Sequence, residues 1–370
     1  MGRTPESAGG GLALTLLADR IDFVLGVDTH KHTHTAAAVT PTGGLVAHLS
    51  VAADAAGCRR LLAFADEHAP GRRIWAIEGT GSFGAGLTTH LLEHGEWVVE
   101  IDRPKRPARR NGAKTDQLDA VRAAREALAR EHLAQPRRRG TREALRVLLT
   151  TRENAMRART KAICQLKDLV VSAPESLRRP LHALPTTALV QRCAGLRSNA
   201  TDSVEQRYTI LALQTTARRA LALETEAAEL EAQLEPLVQQ AAPMLLDEPG
   251  VGPVSAAQLL CSWSHAGRLQ SEAAFAALAG VAPIPASSGQ VTRHRLNRSG
   301  DRQLNRALHT IIVSRQVHHP ETQAYIARRS AEGKSPREIK RCLKRHLARR
   351  LFRLLEAPPE RSSLDRQLAA

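Results

Sequence analysis

The chain has 370 residues and a formal net charge of +16, with 53 Lys and Arg against 37 Asp and Glu. That length allows two or three domains, and so basic a balance points to a polyanionic partner, nucleic acid before a membrane surface. No apolar run approaches the ~20 residues of a membrane span and the N-terminus has no signal-peptide core. The five scattered cysteines form no C-x-x-C pair, which argues against a zinc ribbon or disulfide framework. A cytoplasmic protein is expected.

Residues 1–20 are rich in Gly and Ala, without periodicity, and read as a loose segment. From Asp22 the pattern turns to strands: FVLGVD, then TAAAVT, a Pro-Thr-Gly-Gly turn at 41–44, then LVAHLSV. A Gly-containing turn between the second and third runs predicts an antiparallel meander. A helix follows over 53–68, a strand in RIWAIE (73–78), a helix over 82–95, a strand in WVVEI (97–101) and a helix from Thr115. Three antiparallel strands and then alternating helix and strand is the order of an RNase H-like α/β fold, placed over residues 21–135. Within VLGVDTHKHTH, Asp28, His30, His32 and His34 alternate, so on one continuous strand all four would share a face.

Residues 141–171 form a long arginine-rich helix, broken by Pro174, Pro180 and Pro185, and a second long helix spans 203–240. This helical arm, 136–243, suits a coiled-coil dimer or a solvated pair of helices equally, because fewer than ~3–4 clean heptads are visible. A mostly helical domain over 244–370 opens on DEPGVGPVSAAQLL, a glycine turn before a helix start. It looks like a helix-hairpin-helix element, whose amides approach a DNA phosphate without reading sequence. The last helix starts at Ser335-Pro336-Arg337-Glu338, an N-cap, a proline at the first helical position and a capping-box glutamate. Its basic face, with Lys340, Arg341, Lys344, Arg345 and Arg349, calls for an anionic neighbour.

Four carboxylates stand at informative places. Asp28 ends the first strand, Glu78 ends the fourth, and Asp116 and Asp119 open the helix from Thr115, three residues apart. In an RNase H-like sheet the first and fourth strands are neighbours, and the later helix covers the same spot. Four clustered acids repel unless cations neutralise them, and oxygen ligands suit Mg²⁺ or Mn²⁺. Two such ions ~4 Å apart stabilise both the attacking and leaving oxygens of a phosphodiester. Each acid alone has a bland explanation, such as Asp116 meeting the helix dipole. The loop before that helix carries Arg103, Lys105, Arg106, Arg109, Arg110 and Lys114, a charge run beside the acids that suits a phosphate backbone. Further on, Ser287-Ser288-Gly289 sits in a Pro- and Gly-rich loop followed by Arg293, His294, Arg295 and Arg298. By composition this is ordinary turn chemistry; a serine beside arginines can also attack a phosphate.

GVDTHKHTH with Asp28, Lys31 and His34, AIEGTG with Glu78, and KTDQLDA with Asp116 and Asp119 resemble the Asp-Glu-Asp-Asp domain of the bridge-RNA-guided insertion-sequence transposases. PGVGPVSAAQLL, LAGVAPIPASSGQ and SGDRQL look like that family's C-terminal transposase domain, so the match runs in order from about residue 22 to 315. The resemblance implies a RuvC-like domain with Mg²⁺ (or Mn²⁺) at the four acids, a coiled-coil arm, and a serine nucleophile that links covalently to cut DNA. It places that serine at Ser288, with Ser287 as the alternative. It also implies structured noncoding RNA from the element as guide, donor and target DNA as substrates, and a homo-oligomer with composite active sites. Lys31, the loop arginines and lysines, Arg293, Arg295 and Arg298 fall to nucleic-acid binding. Asn305 departs from the family, which often has arginine there. A metal-dependent junction nuclease using water, or an inactive nucleic-acid-binding relative, are the competing readings.

Overall fold

The β-branched and leucine residues around Gly26 make a strand buried on both faces, and the rest of the first unit is built on it. The computed structural model describes residues 17–101, 115–130, 133–286, 294–295, 297 and 299–357, and the chain divides into two compact units between Arg137 and Arg138. In the first, β1 (Phe23–Thr29), β2 (Thr33–Val39) and β3 (Leu45–Ala52) form the antiparallel meander. Asp54 then caps α1 (Ala55–His68), accepting from the Gly57 amide at 2.7 Å. β4 (Arg73–Glu78) pairs parallel with β1, α2 (Ala85–Glu93) follows, and β5 (Val98–Ile101) pairs parallel with β4. Thr115 caps α3 (Asp116–Ala129) by accepting from the Leu118 amide. The sheet order is β3-β2-β1-β4-β5.

Side-chain parity sorts the sheet into two faces. Leu25, Val27, Trp75 and Ile77 pack with Leu61, Phe64, Leu87 and Leu91 of α1 and α2. Val24, Ile74, Ala76 and Val99 pack with Ala120, Val121, Ala124 and Ala127 of α3. α3 lies so close to β1 that a Cβ on Gly26 would come within 2.0 Å of the Ala120 carbonyl oxygen and 2.6 Å of the Ala124 nitrogen. The alanine stripe of α3 and the missing side chain of Gly26 are two halves of one contact.

The shared face expected for Asp28 and the three histidines does not occur. β1 ends at Thr29 and the chain reverses, with the His30 amide donating to the Thr33 carbonyl at 2.9 Å. Lys31 and His32 are exposed in that turn, while His34 re-enters on β2 with the parity of Ala36 and Ala38, opposite to that of Asp28. A tight hairpin changes facing in a way that alternation along one strand cannot anticipate.

In the second unit, α4 (Thr141–Ser172) and α7 (Val204–Ala241) pack along each other, with α5 (Glu175–Leu181) and α6 (Thr186–Ala194) between them in sequence. Leu166, Leu181, Leu189, Leu213 and Ala217 form the core at one end of this pair. At the other end Leu145, Leu234 and Val238 join the core of α8 (Pro253–Trp263), α9 (Glu272–Leu278), α10 (Arg302–His318) and α12 (Pro336–Glu356). A short β6 (Ile284–Pro285) pairs with β7 (His294–Arg295), and α11 (Pro320–Ala331) precedes α12. Pro180, expected as a breaker, lies inside α5. It occupies the last turn of a seven-residue helix, so few intrahelical bonds are at stake. Pro174 and Pro185 stand as helix-cap residues, and the capping box at Ser335 and Glu338 forms as the sequence indicates.

Because the Gly26 contact is backbone to backbone, it has no side chain to yield. Gly26→Val is expected to destabilise the first unit by about 3 kcal/mol or more, measured by denaturant unfolding. A loss below ~1 kcal/mol would show that α3 can lift off β1 cheaply.

Candidate active site

The ends of β1 and β4 and the start of α3 converge. Val27 stands opposite Ile77 in the parallel pair, so Asp28 and Glu78 occupy the next rung, and the Thr29 hydroxyl donates to the Glu78 carbonyl at 2.8 Å. Asp28 and Glu78 have the parity of Gly26 and Ala76, the α3-facing set. The Gly26 contact thus sets the first turn of α3, with Asp116 and Asp119, over the end of β1.

Asp28 is only 9% exposed. His30 Nε2 lies 3.2 Å from Asp28 Oδ2 and 3.5 Å from Asp116 Oδ1. One ligand atom each from Asp28, His30 and Asp116 falls within 4.8 Å of the others. Asp119 accepts from Arg122 along its own helix at 2.6 Å. Burial raises the Asp28 pKa above the ordinary carboxylate value; His30 opposes this, and the charges of Asp119 and Asp116 add to it. On the other face, burial lowers the His34 pKa, and its Nδ1 has no hydrogen-bond partner among the described residues.

The donor set fits a divalent cation. Two carboxylates brought together, one of them nearly buried, gain most from a hard cation between them. His30 Nε2 stands between those two carboxylates. His30 comes over the acid because β1 stops at Thr29 and the chain turns there, an end that the local sequence does not mark.

The remaining expected residues separate clearly. Lys31 is exposed in the hairpin turn and Arg295 is exposed in β7. Ser287, Ser288, Arg293, Arg298 and the segment with Arg103, Lys105, Arg106, Arg109, Arg110 and Lys114 lie outside the described residues. The flanks of the serine loop are anchored: the Asp301 amide donates to the Leu278 carbonyl at 2.7 Å, and Asp301 caps α10. Asn305 has a structural task where the family often has arginine. Its Nδ2 donates to the Ala279 carbonyl at 2.7 Å, and its Oδ1 accepts from Lys344 at 2.9 Å.

The raised Asp28 pKa has a defined consequence for stability. The folded chain keeps a proton there that the unfolded chain has lost, so this contribution is full below about pH 3.9 and is lost as pH rises through the higher folded value. In EDTA, Asp28→Asn is expected to melt higher than the unaltered chain at neutral pH, with the gap closing in acid. Thermal melts across pH check this; a gap independent of pH would contradict it.

Comparison with known proteins places the chain beside insertion-element transposases. The transposase-domain model DEDD_Tnp_IS110 matches residues 25–173, and the model described as "Transposase IS116/IS110/IS902 family" matches residues 242–327. The chain is 27% identical over 359 residues to the insertion element IS900 uncharacterized 42 kDa protein of Mycobacterium paratuberculosis, covering 84% of this chain and 89% of that relative. It is 33% identical over 129 residues to the insertion element IS110 uncharacterized 43.6 kDa protein of Streptomyces coelicolor, covering 34% of this chain and 32% of that relative. The first domain model spans all four acids and the second spans the serine loop. The chain thus carries both domains of the IS110-type insertion-element transposases, in order, and these domains make it a transposase enzyme.

Proposed function

We propose that this transposase is an RNA-guided DNA recombinase that moves its own insertion element. An RNase H-like, RuvC-like domain (21–135) would hold Mg²⁺ or Mn²⁺, a coiled-coil arm (136–243) would pair protomers, and the domain over 244–370 would carry Ser288 as nucleophile. The observation that carries this reading is the meeting of Asp28, His30 and Asp116 beneath the charge of Asp119, in a chain whose residues 25–173 and 242–327 match transposase domains.

A bound divalent cation would neutralise the carboxylates and polarise a phosphodiester oxygen. Asp28 and Asp116 are the residues to hold it, with Glu78 and Asp119 completing the set. His30 Nε2, 3.2 Å from Asp28 and 3.5 Å from Asp116, would keep the two nearer acids oriented. Ser288 Oγ would attack phosphorus, forming an O–P bond as the bond to a sugar oxygen breaks. The serine proton passes to a base, and the departing oxygen takes up a proton. One ester replaces another, so a DNA hydroxyl can reverse the step and rejoin strands without an added energy source. Arg293, Arg295 and Arg298 would balance charge at that phosphate. Lys31 and the basic residues between 103 and 114 would hold the backbone of donor or target DNA, with affinity falling as salt rises. The structured noncoding RNA of the element would choose the sites, and acids and serine from different protomers would share one active centre.

Purified protein with element RNA, donor and target DNA and Mg²⁺ is expected to give a covalent protein–DNA adduct. Ser288→Ala should abolish it, and Asp28→Ala should lower its rate by about 100-fold or more. Cut DNA without attached protein, unaffected by Ser288→Ala, would instead mean a RuvC-like nuclease using water. Binding without any strand cleavage would mean an inactive nucleic-acid-binding relative.

A further inference from the structure

The chain holds five phenylalanines in 370 residues. Phe64, Phe275 and Phe352 are buried and Phe23 is half-buried, all within the cores described above. Phe83 is the exception, at 57% exposed. It lies in the loop between β4 and α2, which leaves the strand at Glu78, one of the four acids. A single apolar side chain at a surface needs no explanation by itself. Phe83 differs because the backbone around it is fixed beside the candidate active site.

The loop is tightly wound. Gly79, at φ +73°, turns the chain directly after Glu78. Its carbonyl accepts from the Ser82 amide at 2.8 Å, the Ser82 hydroxyl at 3.1 Å and the Gly84 amide at 3.1 Å. Gly84 is pressed against the two acid-bearing strands: a Cβ there would come within 3.1 Å of the Thr29 and Ile77 methyl groups. Thr29 follows Asp28, and its hydroxyl donates to the Glu78 carbonyl at 2.8 Å. Phe83 therefore leaves the backbone one residue from a contact with the neighbour of Asp28, on a turn with little freedom to draw the ring inward. A Cβ on Gly81 would meet nothing within 4 Å, so the loop is open there to another molecule. The other exposed aromatic residues described lie elsewhere: Trp97 precedes β5, at the end of the sheet opposite the acids, and Tyr208 is on α7.

A phenyl ring has no hydrogen-bonding group, so what it offers a nucleic acid is a flat face on which any base can stack. A paired base within a duplex shows only its edges in the grooves, and its faces become available once it leaves the stack. We infer that Phe83 stacks on an unpaired base of the DNA strand whose phosphate lies at the acids, and replaces the neighbouring base which that nucleotide has lost. The ring holds the strand in place and takes no part in proton or phosphoryl transfer. Because stacking reads no base edge, the contact fixes position without selecting sequence. The inference rests on the reading that the acids act on a DNA strand. To that reading it adds the form of the strand, locally unpaired, and the side chain that grips it.

The test uses full-length protein, Mg²⁺ and single-stranded DNA carrying one iododeoxyuridine, whose ring bonds under ultraviolet light to an aromatic ring stacked on it. Mass spectrometry is expected to find the DNA on the peptide that contains Phe83. Phe83→Ala should lower single-strand affinity about tenfold. Duplex affinity and the salt slope should stay unchanged, because no phosphate contact is lost. Phe83→Trp should keep both crosslink and affinity, whereas Phe83→Leu, apolar but without a flat face, should lose both. The side chain is exposed, so all three variants should melt as the unaltered chain does. The inference is overturned if no DNA is found on the Phe83 peptide, whether or not Trp97 or Tyr208 is labelled, or if Phe83→Ala binds single strands as well as the unaltered chain. Full affinity in Phe83→Leu overturns stacking and leaves plain apolar contact. A crosslink to Phe83 with iodouridine RNA and none with DNA overturns the assignment to DNA. Crosslinking does not need Ser288. A crosslink without a protein–DNA adduct therefore supports this inference and sinks the serine reaction, and an adduct without a crosslink does the reverse.

Discussion

The backbone of α3 rests directly on the backbone of β1 at Gly26, and the candidate chemistry of the first unit follows from that contact. No side chain intervenes between strand and helix, so the start of α3 is set by main-chain geometry and cannot drift with side-chain repacking. Ala120, Ala124 and Ala127 give the helix a flat side that permits the approach. One turn upstream, the same rigid placement presents Asp116 to His30 and Asp28, and keeps Asp119 close enough for its charge to act on Asp28. A larger residue at position 26 would move the acids as well as the core.

The fold also tolerates a local cost at this place. A nearly buried carboxylate among other acids is an unfavourable arrangement for an isolated chain, and burial and like charge both push Asp28 towards its protonated form. The rest of the sheet compensates through dense apolar packing on both faces, with Trp75, Leu25 and Ile77 fully buried. Trp75 also donates its indole N–H to Glu96 at 2.7 Å, which keeps that large side chain satisfied at the parallel edge. Such a concentration of carboxylates at the end of otherwise well-packed strands suits a divalent cation. The second unit shows the reverse polarity: arginines held by Glu153 and Glu248.

Much of this was legible in the residues. The strand-strand-strand-helix-strand order, the parallel neighbours β1 and β4, the helix opening at Thr115 and the capping box at Ser335 all follow from periodicity and end signals, which are local properties. What escaped was tertiary or depended on one residue of register. The alternating histidines looked like one face because nothing in T-H-K-H announces that β1 stops at Thr29, and the resulting hairpin sends His30 towards Asp28 and His34 to the opposite face. Spacing put Asp116 and Asp119 on one side of α3, but it could not foresee that Arg122 engages Asp119 from within the helix. Pro180 reads as a stop by propensity, yet a short helix absorbs it in its last turn. Gly26 is an unremarkable glycine in a strand until α3 is laid across it.

The most direct measurement of the central claim is Mn²⁺ binding to the purified protein, followed by electron paramagnetic resonance, in the unaltered chain and in Asp28→Ala, Asp116→Ala and His32→Ala. Mn²⁺ should bind the unaltered chain and His32→Ala alike, because His32 points into solvent from the hairpin turn. Binding should be lost in Asp28→Ala and weakened at least about tenfold in Asp116→Ala. Equal Mn²⁺ binding by Asp28→Ala and the unaltered chain would contradict the claim that the β1–α3 contact builds a divalent-metal site.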